Sequence, residues 1–93
     1  MLRIEHLVDK GLTVLKLSGR LQEEYLFQLQ AEMERRTTPP TLDLTDVTLV
    51  DRASVRFLIR WEAKGLRLVN SPLYVREWLL RERRRTGHSA DSE

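Results

Sequence analysis

Few residues in this chain are of types that do chemistry, and most of them are scattered. His6 and His88 stand far apart. Two imidazoles do not make a histidine metal site, and His6 lies in a strand-like stretch. A surface or sheet-edge position is expected there rather than a catalytic base. Asp43, Asp46 and Asp51 gather near the end of one segment. Three carboxylates suit a hard cation, but turn formation and helix capping account for Asp46 and Asp51. The chain has no cysteine, which removes thiol nucleophiles, disulfides and thiolate metal sites. Its four glycines, Gly11, Gly19, Gly65 and Gly87, fall in no phosphate-cradling pattern. Trp61 and Trp78 lack the basic strand surface of a base-stacking platform, so core or rim packing is expected. With no paired nucleophile and base and no cofactor motif, the chain is read as a non-enzyme without cofactor.

The basic residues are more ordered. Arg52, Arg56, Arg60 and Lys64 recur every four positions and form one stripe on a helix. Arg81, Arg83, Arg84 and Arg85 form a run near the end. The stripe is either a solvated face or a docking face for an acidic protein. Nucleic acid bound through the stripe and the arginine run is a further option, marked by steep salt dependence.

Elements that position these residues follow from pattern. Residues 2–8 read as a strand, Asp9-Lys10-Gly11 as a turn, and residues 12–17 as a second, more apolar strand ended by Gly19. Together they make an antiparallel hairpin. A helix from about Glu23 carries Glu23 and Glu24 in its first turn and Arg35 and Arg36 in its last, as the helix dipole favours. Leu26, Leu29 and Met33 share its inner face, and Thr37-Thr38-Pro39-Pro40 stops it. Residues 41–44 form a third strand, and residues 45–50 link it to a second helix over 52–64, closed by Gly65. Val55, Leu58 and Ile59 face the core. Residues 66–69 are a fourth strand. Ser71 as cap and Pro72 as first helical residue open a third helix, with Val75, Trp78 and Leu79 inward. The order ββαβαβα predicts an α/β fold with parallel pairing from the second strand onward.

The chain has 93 residues, 41% hydrophobic and 32% charged, with a formal net charge of +2. That is one small domain, burying roughly two-thirds of its unfolded surface. No apolar run reaches the ~20 residues of a membrane span, and the charged start argues against a signal peptide. A soluble, cytoplasmic protein is expected. Residues 81–93 read as a basic and then polar tail, expected to be disordered.

Three stretches resemble STAS domains, the anti-sigma-factor antagonist family. Leu15-Lys16-Leu17-Ser18-Gly19-Arg20-Leu21-Gln22 looks like that family's strand and corner. Leu42-Asp43-Leu44-Thr45-Asp46-Val47-Thr48-Leu49-Val50-Asp51 is similar to its third strand and following loop. Leu68-Val69-Asn70-Ser71-Pro72-Leu73-Tyr74-Val75 resembles its fourth strand and next helix. The likeness spans residues 2–80. It implies a mixed sheet with packed helices and a regulatory, non-catalytic module that binds a protein partner. Such a partner is a serine-kinase anti-sigma factor, whose phosphorylation of a hydroxyl at the second helix switches docking off.

The chain departs from that pattern. The Asp-Ser-Ser-Gly or Asp-Thr-Ser-Gly stretch reads Asp51-Arg52-Ala53-Ser54 here, so the switch position is Ala53 and has no hydroxyl. Gln22 replaces the corner aspartate, and the usual last strand and helix have no counterpart after the third helix. Ser54 is either a displaced phosphosite or a residue closing the first turn behind Asp51. A cation at Arg52 opposes the helix dipole by about 0.3–1 kcal/mol, so local helix stability does not explain it. The expected docking surface is Asp51, Arg52, Ala53, Ser54, Arg56 and Arg60. The other partner consistent with the resemblance is a membrane lipid transporter ATPase, with this chain as accessory subunit.

Overall fold

The computed structural model describes residues 2–35 and 38–91. Strands β1 (Leu2–Asp9) and β2 (Leu12–Leu21) form an antiparallel hairpin, with Asp9 opposite Leu12. The turn is therefore two residues long rather than three. Lys10 and Gly11 have φ of 52° and 80°, and positive φ at both positions marks a type I′ turn. Its twist matches that of the strands it joins.

Helix α1 (Glu23–Glu34) leads to β3 (Thr41–Val50), helix α2 (Arg52–Glu62) to β4 (Arg67–Val69), and helix α3 (Leu73–Asp91) follows. The result is an α/β fold of order ββαβαβα with a four-stranded mixed sheet in the order β1-β2-β3-β4. The pairs β2–β3 and β3–β4 are parallel. Both crossovers step the same way across the sheet, and right-handed connections then place α1 and α2 on one face. The core is built there: Leu15, Leu17, Leu42 and Leu44 of the sheet meet Leu29, Met33, Val55, Leu58, Val75 and Leu79 of the helices, all buried. Alternation sends Val14, Lys16, Thr41 and Asp43 to the other face, where none is fully buried.

Two strands run longer than the sequence pattern predicts. β2 continues past Gly19 to Leu21, and β3 continues through residues 45–50, which are strand and not a linking loop. The extensions pair with each other, Arg20 beside Leu49 and Leu21 beside Val50. Gly19, at φ 97°, sits at an irregularity of the ladder rather than at its end. Buried Val47 falls out of phase with Leu42 and Leu44, and buried Val50 falls back into it, because the register shifts twice, between Lys16 and Ser18 and between Gly19 and Arg20. A strict period of two loses the strand at that point.

The third helix also differs. It opens one residue later than expected, with the Pro72 carbonyl accepting from the Val75 and Arg76 N–H groups at 3.0 Å each. It then runs on to Asp91, so residues 81–85 are helix and not the start of a disordered tail. Buried Glu82 anchors that stretch. Arg36, Thr37, Ser92, Glu93 and the side chain of His88 lie outside the described residues.

Candidate functional site

The expected docking residues come together around the start of α2, and Asp51 organises them. Its backbone is extended, as a cap requires. Oδ1 accepts from the Ser54 N–H at 2.9 Å and from the Ser54 hydroxyl at 2.6 Å, while Oδ2 accepts from the Glu23 N–H at 2.9 Å. One carboxylate therefore caps α2 and ties down the first N–H of α1. Burial pushes the Asp51 carboxyl up, but the hydrogen bonds from Ser54 and Glu23 outweigh it, and it sits below the usual carboxylate range. Gln22, at the N-cap of α1, makes no side-chain cap bond of its own. Asp51 supplies what that cap lacks.

Ser54 is fully buried with its hydroxyl committed to Asp51, which is the turn-closing role. Ala53 stands half-buried beside it in the first turn of α2.

The arginine stripe has a partner inside the chain. Arg52 Nε donates to Glu82 Oε1 at 3.2 Å, and Arg56 Nε lies 3.6 Å from Glu82 Oε2. The Glu82 side chain is only 5% exposed, whereas those of Arg52 and Arg56 are 52% and 54% exposed. Burial pushes the Glu82 carboxyl up. The Arg52 hydrogen bond and the charges of Arg52, Arg56 and Arg85 outweigh burial and hold it below its ordinary value. The cation at Arg52, unexplained by its own helix, is thus matched across the α2–α3 contact. A second tie fixes the same two helices, with Arg83 Nη2 contacting both Glu62 oxygens at 2.6 and 2.7 Å. Farther along the stripe, Arg60 is exposed and Lys64 Nζ lies 4.8 Å from the centre of the Trp61 ring.

Glu82 is the residue that sequence reasoning missed. It continues the buried spacing Val75, Leu79, Glu82 on α3, and a lone acid at an inward position within an arginine run is the signal that would have found it.

The remaining candidates do not join this site. His6 Nε2 lies 2.8 Å from Glu32 Oε1, between β1 and α1. Asp43 accepts from the Thr45 N–H at 2.9 Å and the Thr45 hydroxyl at 2.5 Å, within β3 where its register with β2 shifts, and Asp46 pairs with Lys16 at 3.3 Å. Among the described residues no group of three or more histidines, aspartates or glutamates is placed to hold a metal ion. Trp61 packs against Phe57 with ring centres 6.1 Å apart, and Trp78 packs half-buried against the core. Among the described residues no helix is long and apolar enough to cross a membrane. Comparison with family models, with curated proteins and with solved structures finds no match.

Proposed function

We propose that this chain is a cytoplasmic, non-catalytic regulatory module that binds an acidic protein partner through the start of α2, in the manner of a STAS-type anti-sigma-factor antagonist without its phosphorylation switch. One observation carries the reading. Two half-exposed guanidinium groups share a single buried carboxylate, so Arg52 and Arg56 leave uncompensated positive charge at the surface beside Ala53 and Arg60. Glu82 fixes both side chains in place, which lowers the ordering entropy a partner must overcome. Such a cationic face steers an acidic surface and sets its register. Lacking a hydroxyl at position 53, and with Ser54 buried, the module would stay docking-competent whatever the kinase activity around it.

Affinity capture from the source cell, with bound proteins identified by mass spectrometry, tests the reading. A serine-kinase anti-sigma factor supports it, and a transporter ATPase redirects it to an accessory-subunit role. Nucleic acid released steeply by salt overturns it. Arg60→Glu, which disturbs no ion pair seen among the described residues, should weaken capture through a slower on-rate at low salt. The triple change Arg52→Gln, Arg56→Gln and Glu82→Gln removes the cations without stranding a buried carboxylate. It should abolish capture while leaving the far-ultraviolet dichroism unchanged. Full capture by both variants would move the docking surface elsewhere.

A further inference from the structure

Two helix faces that the proposed docking surface does not use are complementary to each other. On α1 the solvent face is Glu23, Glu24, Phe27, Ala31 and Glu34, all exposed, with Phe27 at 81%. It has three carboxylates around one aromatic ring, and α1 contains no lysine or arginine. On α3 the solvent face carries Leu73 and Leu80, 69% and 51% exposed and two turns apart, among Arg76, Arg81 and Arg84, with Glu77 beside them. A shallow groove lined by Glu77, Leu80, Arg81 and Arg84 runs along it. Among the described residues no ion pair engages these three arginines, nor Glu23, Glu24 or Glu34.

Exposed apolar residues alone would mean little. Here each face offers what the other lacks: a bulky ring within negative charge on α1, and Leu80 bordering a groove within positive charge on α3. The two faces cannot meet within one molecule, because α2 packs against both helices and lies between them.

We propose that the chain associates head to tail with further copies of itself, the α1 face of one molecule docking on the α3 face of the next. Phe27 enters the groove beside Leu80, and Glu23, Glu24 and Glu34 lie against Arg76, Arg81 and Arg84. The contact joins different faces, so it is heterologous: it extends into a chain or closes into a ring, and it does not stop at a two-fold dimer. The helical layer of each molecule continues into that of its neighbour. The start of α2 is not itself part of either contact face, although Glu23 at the edge of the α1 face adjoins it through Asp51.

Sedimentation of the full chain over a range of concentrations tests this. The average mass should climb past that of a dimer at low salt and fall back at high salt, as screened ion pairs require. Phe27→Ser disables only the α1 face; Arg81→Glu combined with Arg84→Glu disables only the α3 face. All these side chains are exposed, and unchanged far-ultraviolet dichroism checks that both variants fold. Each variant alone should associate roughly tenfold or more weakly than the parent. Mixed together, they should form a one-to-one dimer that does not grow, since each supplies the face the other lacks. A parent that stays monomeric at millimolar concentration overturns the proposal, as does a mixture that stays monomeric or a Phe27→Ser variant that assembles like the parent.

Discussion

Asp51 does more than a helix cap usually does. A cap contributes about 0.5–2 kcal/mol by satisfying an orphan N–H of its own helix. This carboxylate also binds the Glu23 N–H of another helix, so Asp51→Ala should cost at the upper end of that range or beyond it. Asp51→Asn should cost less, since an amide oxygen still accepts. Urea denaturation of both variants measures the difference. The pH dependence follows from the same residue and from Glu82. Both carboxyls are held below their ordinary values in the folded chain. A group lowered in this way stabilises the fold above its unfolded value, and the contribution is lost as pH falls through the folded value. Stability should therefore stay level above about pH 5 and fall as pH drops below about 4. Asp51→Asn and Glu82→Gln should each flatten that fall; an unchanged acid profile in both would mean that neither carboxylate is the group being titrated.

At the scale of elements, the hairpin turn is the place where the sequence is not optimal for its structure. Lys10 takes φ of 52°, a left-handed conformation that costs an ordinary side chain about 1–2 kcal/mol and asparagine less. Lys10→Asn gives the Asn-Gly pair that type I′ turns prefer and should stabilise the protein by up to about 1 kcal/mol, read as a higher denaturation midpoint with an unchanged slope. The α2–α3 pair shows a different situation, in which two charged ties join helices that also pack through buried apolar residues. Arg83 with Glu62 and Arg52 with Glu82 sit on either side of the buried residues Val75 and Leu79. The crossing of the two helices is fixed by these pairs as well as by packing.

At the scale of the molecule, the helices lie on one side of a four-stranded sheet and leave its other face to water. That face is made compatible with solvent by alternating charge: Glu5 stands opposite Lys16, and Lys16 reaches Asp46 at 3.3 Å. Residues 86–93 carry almost no apolar side chains, Ala90 being the exception, and so have little to offset the entropy of ordering them. Removing residues 86–93 should therefore lower the melting temperature by less than about 4 °C, the shift that ~1 kcal/mol produces in a domain of this size. A larger drop would show that the end of α3 is held by the domain.

The order of elements was legible in the sequence because each element carries its own signal. Leu29 and Met33 mark the inner face of α1, Asp51 and Gly65 bracket α2, and Leu42 and Leu44 alternate in β3. These are local patterns, and backbone geometry enforces them wherever the chain goes. The tertiary structure decided what depends on residues far apart. β2 and β3 extend past Gly19 and Leu44 because each supplies the other's ladder. Asp51 reaches Glu23, 28 positions away, and Arg52 reaches Glu82, 30 positions away. No periodicity encodes such a pair: a stripe of arginines looks the same on its own helix whether or not a carboxylate is folded against it. Only the packing of α3 on α2 turned an apparently unpartnered cation into half of an ion pair and left the remaining charge facing outward.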